Sequence, residues 1–186
     1  MDQAPGARRS SPVLGVGLLL TAGVLFVIGA FVTAATVIVQ GRATTATLWD
    51  GWEGKAALIV GLLLLAAAGV VWEMRDRLNV RAAGAMIAIV GIAATIVAIA
   101  KIAGIESEAI DSIAALTAAQ RGVPAQATRP AVQALFDSGA ASVSTGVGLY
   151  LVVIAGLVTV AAGAVMTMAR TAVGPREQTP AATQRM

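Results

Sequence analysis

The side chains in this sequence that could best take part in catalysis or metal binding are six carboxylates that lie between long apolar runs. These six are Asp50, Glu53, Glu106, Glu108, Asp111 and Asp137. Paired carboxylates can act as a general acid and base, and carboxylates that alternate along a loop can bind calcium. The segment Asp50-Gly51-Trp52-Glu53 lacks the alternating oxygen ligands of a calcium loop. We therefore interpret the six acids as solvated charges of an exposed surface.

The sequence contains neither histidine nor cysteine. Without histidine it lacks the most common general base and metal ligand, and without cysteine it has no thiol nucleophile, thiolate metal site or disulfide. Phosphate-binding loops, dinucleotide-binding glycine patterns and zinc signatures are also missing. The sequence therefore predicts no catalytic residue, no metal site and no small-molecule cofactor, and we interpret the protein as not being an enzyme.

Four long runs without an ionisable residue determine the fold class. They are roughly Val13–Val39, Ala56–Trp72, Ala82–Ala100 and Val143–Ala169. A helix of about 20 apolar residues crosses a bilayer, and a segment inside lipid must pair its own backbone groups. Charged residues make up 12% of the chain, against about 25% in soluble domains. The runs predict an all-α membrane protein with four transmembrane helices.

The Lys and Arg residues predict which loops are cytoplasmic. Eight of the 13 fall on one side of the predicted spans, namely Arg8, Arg9, Arg75, Arg77, Arg81, Arg170, Arg176 and Arg185. Positive flanks are retained in the cytoplasm, so both termini are predicted to be cytoplasmic and the protein to lie in the cell inner membrane. We attribute the net charge of +3 to these positive membrane flanks and not to nucleic-acid binding. Nucleic acid is therefore not a predicted partner. The first run exceeds the about 7–15 apolar residues of a signal peptide, which favours an uncleaved anchor.

The loops and tails complete the predicted organisation. Residues 1–12 and 174–186 are predicted to be disordered cytoplasmic tails around a bundle over residues 13–173. Within the bundle, residues 102–142 are predicted to form a small helical outer cap between the third and fourth spans. Its first helix carries an apolar stripe that must be buried somewhere, and it ends at Arg121-Gly122. The second is predicted to begin near Pro130 and to stop at Gly139. The stripe runs from Ile102 through Ile105, Ala109, Ile113 and Leu116.

Small residues and aromatic residues supply the candidate contacts. The short loop between the second and third spans predicts that these two spans form a tight hairpin, packed along Gly84 and Gly91. Rows of small residues serve either packing within the chain or contacts with another subunit, and the tryptophans serve either an aromatic belt or a docking surface. The first span is predicted to face outward toward a partner. The candidate partner or membrane-interface contacts are Gly23, Gly29, Trp49, Trp52, Leu135 and Phe136.

The spans rich in Ala, Gly and Val, the scarcity of Lys and the last helix with Gly148-Leu149-Tyr150-Leu151, Gly156 and Gly163 resemble small four-helix membrane proteins of actinobacteria. Two such groups are the Trp-operon-associated membrane proteins and the lipid uptake coordinator-type accessory subunits of mycobacterial Mce lipid importers. The resemblance implies an accessory role and assigns no functional residue.

Two functions are therefore considered. The first is a non-enzymatic accessory or assembly subunit of a larger inner-membrane complex, with a lipid importer as one candidate. The alternative is a small transporter or lipid-handling carrier that acts alone or as a homo-oligomer. The predicted partners are membrane lipid and other integral membrane subunits. The spans carry none of the ionisable groups on which transporters and proton pumps rely, which favours the first function.

Overall fold

The computed structural model describes residues 12–74 and 79–168, which contain five α-helices and three strands. The helices are α1 Pro12–Phe31, α2 Trp52–Glu73, α3 Val80–Arg121, α4 Ala125–Asp137 and α5 Val147–Met168. The strands are β1 Thr33–Val39, β2 Arg42–Thr47 and β3 Ala141–Thr145. The predicted tails, apart from Pro12 at the start of α1, lie outside the described residues. So do residues 75–78 of the Arg-rich loop, which joins the second and third predicted spans and carries Arg75, Arg77 and Arg81.

Four helices, α1, α2, α3 and α5, are long and apolar enough to cross a membrane, which confirms the four predicted candidate spans. Within the bundle α1 packs between α2 and α5, and α5 packs between α1 and α3. The two central helices carry the most deeply buried side chains, including Leu19 and Phe26 of α1 and Met166 of α5. Gly15 lies against Met166, so α1 begins and α5 ends at the same end of the bundle.

The predicted hairpin of the second and third spans is wrong, because α2 and α3 make few contacts with each other. Gly84 and Gly91 of α3 face α5 instead. A Cβ atom at Gly84 would lie 2.8 Å from the carbonyl oxygen of Gly163, and one at Gly91 would lie 2.7 Å from the backbone nitrogen of Val160. Glycine is needed at both positions because the helix backbones approach too closely for a side chain.

A three-stranded antiparallel sheet in the order β2-β1-β3 makes the all-α prediction wrong. The first predicted helix ends at Phe31, because the residues that follow are rich in β-branched side chains, which favour a strand. Gln40 and Gly41 have φ angles of 50° and 79°. Two successive positive φ angles form the two-residue turn that joins tightly paired strands. The segment between the first and second predicted spans thus contains β2, a 3-10 turn at Leu48–Asp50 and the first residues of α2.

The third predicted span and the first predicted cap helix are one continuous helix. α3 contains 42 residues, which corresponds to about 63 Å, or twice the thickness of a bilayer core. It ends as predicted, at Arg121, and Gly122 follows with a left-handed φ of 66°. Because α3 runs antiparallel to α5, its residues beyond Lys101 extend past the start of α5.

α4 folds back on this extension of α3, and it begins earlier than predicted. Pro124 caps α4 and Pro130 lies inside it, so the predicted start near Pro130 is wrong. Ile110 and Ala114 of α3 pack with Val132 of α4 in a small second core. We refer to β1, β2, β3, residues 102–121 of α3 and α4 together as the cap, which adds the sheet to the predicted helical cap of residues 102–142. It lies at the end of the bundle opposite the start of α1.

Candidate functional site

One face of the sheet and one face of α3 enclose a groove within the cap. The strand register places Val37 beside Thr44 of β2 and beside Val143 of β3. Side chains alternate between the two faces of a strand, so Ala35 and its neighbour Ala46 lie on the same face as Val37. These side chains point toward α3 and form the first wall of the groove.

The second wall is the apolar stripe that the sequence predicted on this part of α3. Ile105, Ala109, Ile113 and Leu116 all line the groove. The stripe is not fully buried, because α4 covers a neighbouring face of α3 at Ile110. Leu116 is 67% exposed. The sequence predicted that this stripe must be buried somewhere, and the chain itself leaves Leu116 uncovered and the other three residues half-buried.

The groove is large enough for a small molecule and is open on one side. Its volume is about 930 Å³, within the range of about 300–1,000 Å³ that is usual for small-molecule sites. The sheet contacts α3 and α4 along β3, whereas residues 42–46 of β2 are exposed. The groove therefore opens toward β2 and is closed toward β3.

Two charged side chains line the groove, and only one of them is neutralised nearby. Glu108 accepts a hydrogen bond from Lys101 at 2.5 Å, and Lys101 also contacts Glu53 at 2.6 Å. Arg42, at the other end of the groove, forms no ion pair within the described residues. Arg42 is therefore a cation without a partner among these residues at its end of the groove, whereas at the other end the single cation of Lys101 is shared between two carboxylates.

The remaining predicted acids are dispersed or paired. Asp111 pairs with Arg129 of α4 at 2.9 Å, so this contact supports the packing of α4 on α3. The side chain of Asp50 lies outside the described part of the chain. Within residues 12–74 and 79–168, no three His, Cys, Asp or Glu residues are close enough together to hold a metal ion.

Gly23 and Gly29, the predicted partner contacts on the first span, lie against the chain's own helices. A Cβ atom at Gly23 would lie 2.7 Å from Cγ of Leu65 in α2, and one at Gly29 would lie 3.1 Å from Cγ2 of Val152 in α5. α1 is central in the bundle, so the expectation that the first span faces outward is wrong. Both glycines serve packing within the chain.

The aromatic candidates divide into packed and exposed residues. Trp49 stacks on Phe31 with ring centroids 5.0 Å apart, which ties the 3-10 turn to the end of α1. Trp52 is 70% exposed at the start of α2 and is free to sit at a membrane surface or a partner. Leu135 is half-buried, and Phe136 packs against the small core between α3 and α4. The structure does not bring these four residues together into one site.

The sequence predicted only the α3 wall of the groove. The sheet wall at Val37 and Val143, and Arg42 beside it, were missed because the strands lie within or next to runs assigned to helices. The signal that could have revealed them is Gln40-Gly41 between two segments rich in β-branched residues.

No protein-family model, curated protein or solved structure matches the chain. The resemblance to accessory subunits of lipid importers and to Trp-operon-associated proteins therefore stays a prediction.

Proposed function

We propose that this chain is a non-enzymatic accessory subunit of a larger membrane complex, of which a lipid importer is one candidate. The observation that carries the proposal is the closed interior of the bundle. α1 and α5 fill the centre with side chains such as Leu19, Phe26 and Met166, all at most 1% exposed. Because these side chains fill the centre of the described bundle, we infer that the chain acts through its surfaces.

The hydroxyl groups within the bundle support a structural role for its interior. Thr159 of α5 donates a hydrogen bond to the carbonyl oxygen of Ala155 at 2.7 Å, and Thr95 of α3 donates to Gly91 at 2.8 Å. Both bonds stay within one helix turn, so neither hydroxyl is directed at a substrate. Transport of a polar solute would need polar groups along a continuous path.

The flanking helices α2 and α3 are the proposed contacts with other subunits. Each packs along the bundle against one central helix, which leaves a wide apolar face open. On α2 this face includes Ile59, Leu62 and Leu63, and on α3 it includes Met86 and Ile89. In lipid, such faces associate through close packing rather than through the hydrophobic effect.

The proposed topology places both termini in the cytoplasm and the cap outside the cell inner membrane. Two features support it. The start of α3, which follows the Arg-rich loop, lies at the bundle end at which α5 ends, because Gly84 lies against Gly163. Positive flanks stay in the cytoplasm. Trp52 and Trp72 lie 20 positions apart on α2, about 30 Å, which fits two aromatic belts at the two surfaces of a bilayer core.

Photo-crosslinking in native membranes tests the accessory role. A photoreactive residue replaces Leu63, which is 63% exposed on α2, or its neighbour Leu64, which is 5% exposed and faces α1. The proposal predicts a crosslink to a second integral membrane protein from position 63 and none from position 64. Failure of position 63 and of the equivalent exposed positions Met86 and Ile89 to crosslink to any protein at native abundance would refute it.

The second candidate is a small transporter or lipid-handling carrier that acts without a partner, and the groove of the cap favours it. The purified chain would then move a fluorescent lipid between vesicles. The accessory role predicts no transfer above the spontaneous rate in such vesicles, and transfer that scales with the amount of the chain would make the carrier the better account.

A further inference from the structure

The groove leaves a mostly apolar surface uncovered in the cap, with Gln40, Thr44 and Ser112 among its lining residues. Its walls are the stripe of α3 and the sheet face around Val37 and Val143, which is only half-buried. A concave, mostly apolar surface with a few polar groups is the usual form of a small-molecule site.

The chemistry of the walls indicates what covers them. The apolar lining consists of small and branched aliphatic side chains, and none of the lining residues is aromatic. The centres of protein interfaces are enriched in Trp and Tyr, so the lining suits a flexible hydrocarbon chain better than a partner protein. Along α3 the groove extends from Ile105 to Leu116, about 16 Å.

The two ends of the groove differ in charge. Ala35 and Ile105 lie at the end nearer the bundle, where Lys101 is shared between Glu108 and Glu53 and the described lining residues include no unpaired cation. Arg42 lies at the far end, beside the turn that joins β1 and β2. An amphiphile with its chain along the groove would thus meet an unpaired cation at one end.

We propose that the groove binds a single-chain anionic amphiphile of the fatty-acid type. The hydrocarbon chain lies between the sheet and α3, and the carboxylate pairs with the guanidinium of Arg42. This site is independent of the accessory role, because it lies in the cap and not on the open faces of α2 and α3.

A matched pair of variants on β2 tests the chain-binding part of the proposal. Ala46 lines the groove and Ala43 points away from it, and both are exposed on the same strand. The full chain is placed in phosphatidylcholine nanodiscs with palmitic acid that carries a diazirine near its chain end, and the photoproducts are mapped by mass spectrometry. We expect adducts on residues 105–116, lost in Ala46→Trp and kept in Ala43→Trp.

Two results would overturn this part of the proposal. One is equal labelling of residues 105–116 in both variants, and the other is labelling confined to the apolar faces of α2 and α3. If Ala46→Trp does not fold, Ala109→Trp replaces it, with Ala115→Trp on an exposed face of the same helix as its control. The same two outcomes then decide.

The charge-binding part is tested by Arg42→Glu, with Arg121→Glu at the end of α3 as the control. We expect Arg42→Glu to weaken binding of palmitic acid about tenfold, the size of one charge-assisted hydrogen bond. Binding of the uncharged palmityl alcohol should be unchanged, and Arg121→Glu should affect neither probe. Equal losses for acid and alcohol, or no loss for the acid, would overturn the role of Arg42. Either result leaves the crosslinks from Leu63 unaffected, so failure here and failure of the accessory role are distinguishable.

Discussion

At the scale of single residues, glycines set the distances between the helices of the bundle. Gly91 of α3 lies against the backbone of α5 at Val160, and Gly156 of α5 lies against α3 at Thr95. The spacing of small residues in the sequence predicted close helix contacts at Gly84 and Gly91. It could not indicate the partner helix, because a small residue fits any neighbouring backbone equally well.

Substitution of Gly91 by leucine tests this contact. The new side chain would meet the backbone of α5, which cannot move aside as a flexible side chain can. We expect Gly91→Leu to lower the free energy of unfolding by about 1–3 kcal/mol, the usual cost of overpacking. Gly69→Leu is the control, because a Cβ atom there has no neighbour within 4 Å. Thermal unfolding in mild detergent measures both, and equal unfolding temperatures for the two variants would refute the α3–α5 contact.

At the scale of elements, the helices that could span a membrane were predictable and the sheet was not. Val32–Val39 is as apolar as the span before it, so hydrophobicity alone extends the first helix through β1. The β-branched residues and the Gln40-Gly41 turn distinguish the strand, but their signal is local and weaker. In contrast, the stripe of α3 was predictable from its helical spacing, although its continuity with the span was not.

The turn between β1 and β2 offers two substitutions with opposite expected effects. Gly41 has a φ of 79° and no neighbour within 4 Å of a Cβ atom, so Gly41→Ala introduces backbone strain without a clash. We expect it to cost about 1 kcal/mol. Gln40→Asn should stabilise the hairpin, because asparagine adopts a positive φ more readily than glutamine. Unfolding temperatures measure both variants, and a stabilising Gly41→Ala would contradict the two-residue turn.

At the scale of the whole molecule, the order in which the helices pack could not be read from the sequence. The short loop between α2 and α3 suggested direct neighbours, yet α1 and α5 occupy the centre and α3 packs on α5. The contacts that decide this order join residues far apart in the chain, and their side chains are too similar to select one partner. The groove could not be predicted for the same reason, since its walls come from three distant parts of the chain, residues 35–46, 105–116 and 143.

Accessibility of single cysteines tests the proposed orientation of the molecule. The chain contains no cysteine, so Ala115→Cys in the cap and Asn79→Cys before α3 each give one reactive site, and both positions are exposed. The Arg asymmetry predicts that a membrane-impermeant maleimide labels Ala115→Cys in intact spheroplasts and labels Asn79→Cys only after permeabilisation. The reverse pattern would place the cap in the cytoplasm.

The measurement that tests the accessory role most directly is the particle mass of the chain at native abundance. The tagged chain is expressed from its own chromosomal locus, extracted in mild detergent and analysed by native mass spectrometry. We predict a complex that contains at least one other integral membrane protein and that survives in Ala46→Trp, because the groove does not form the contact. A monodisperse particle with the 18.6 kDa mass of one chain, or a homo-oligomer alone, would contradict the accessory role.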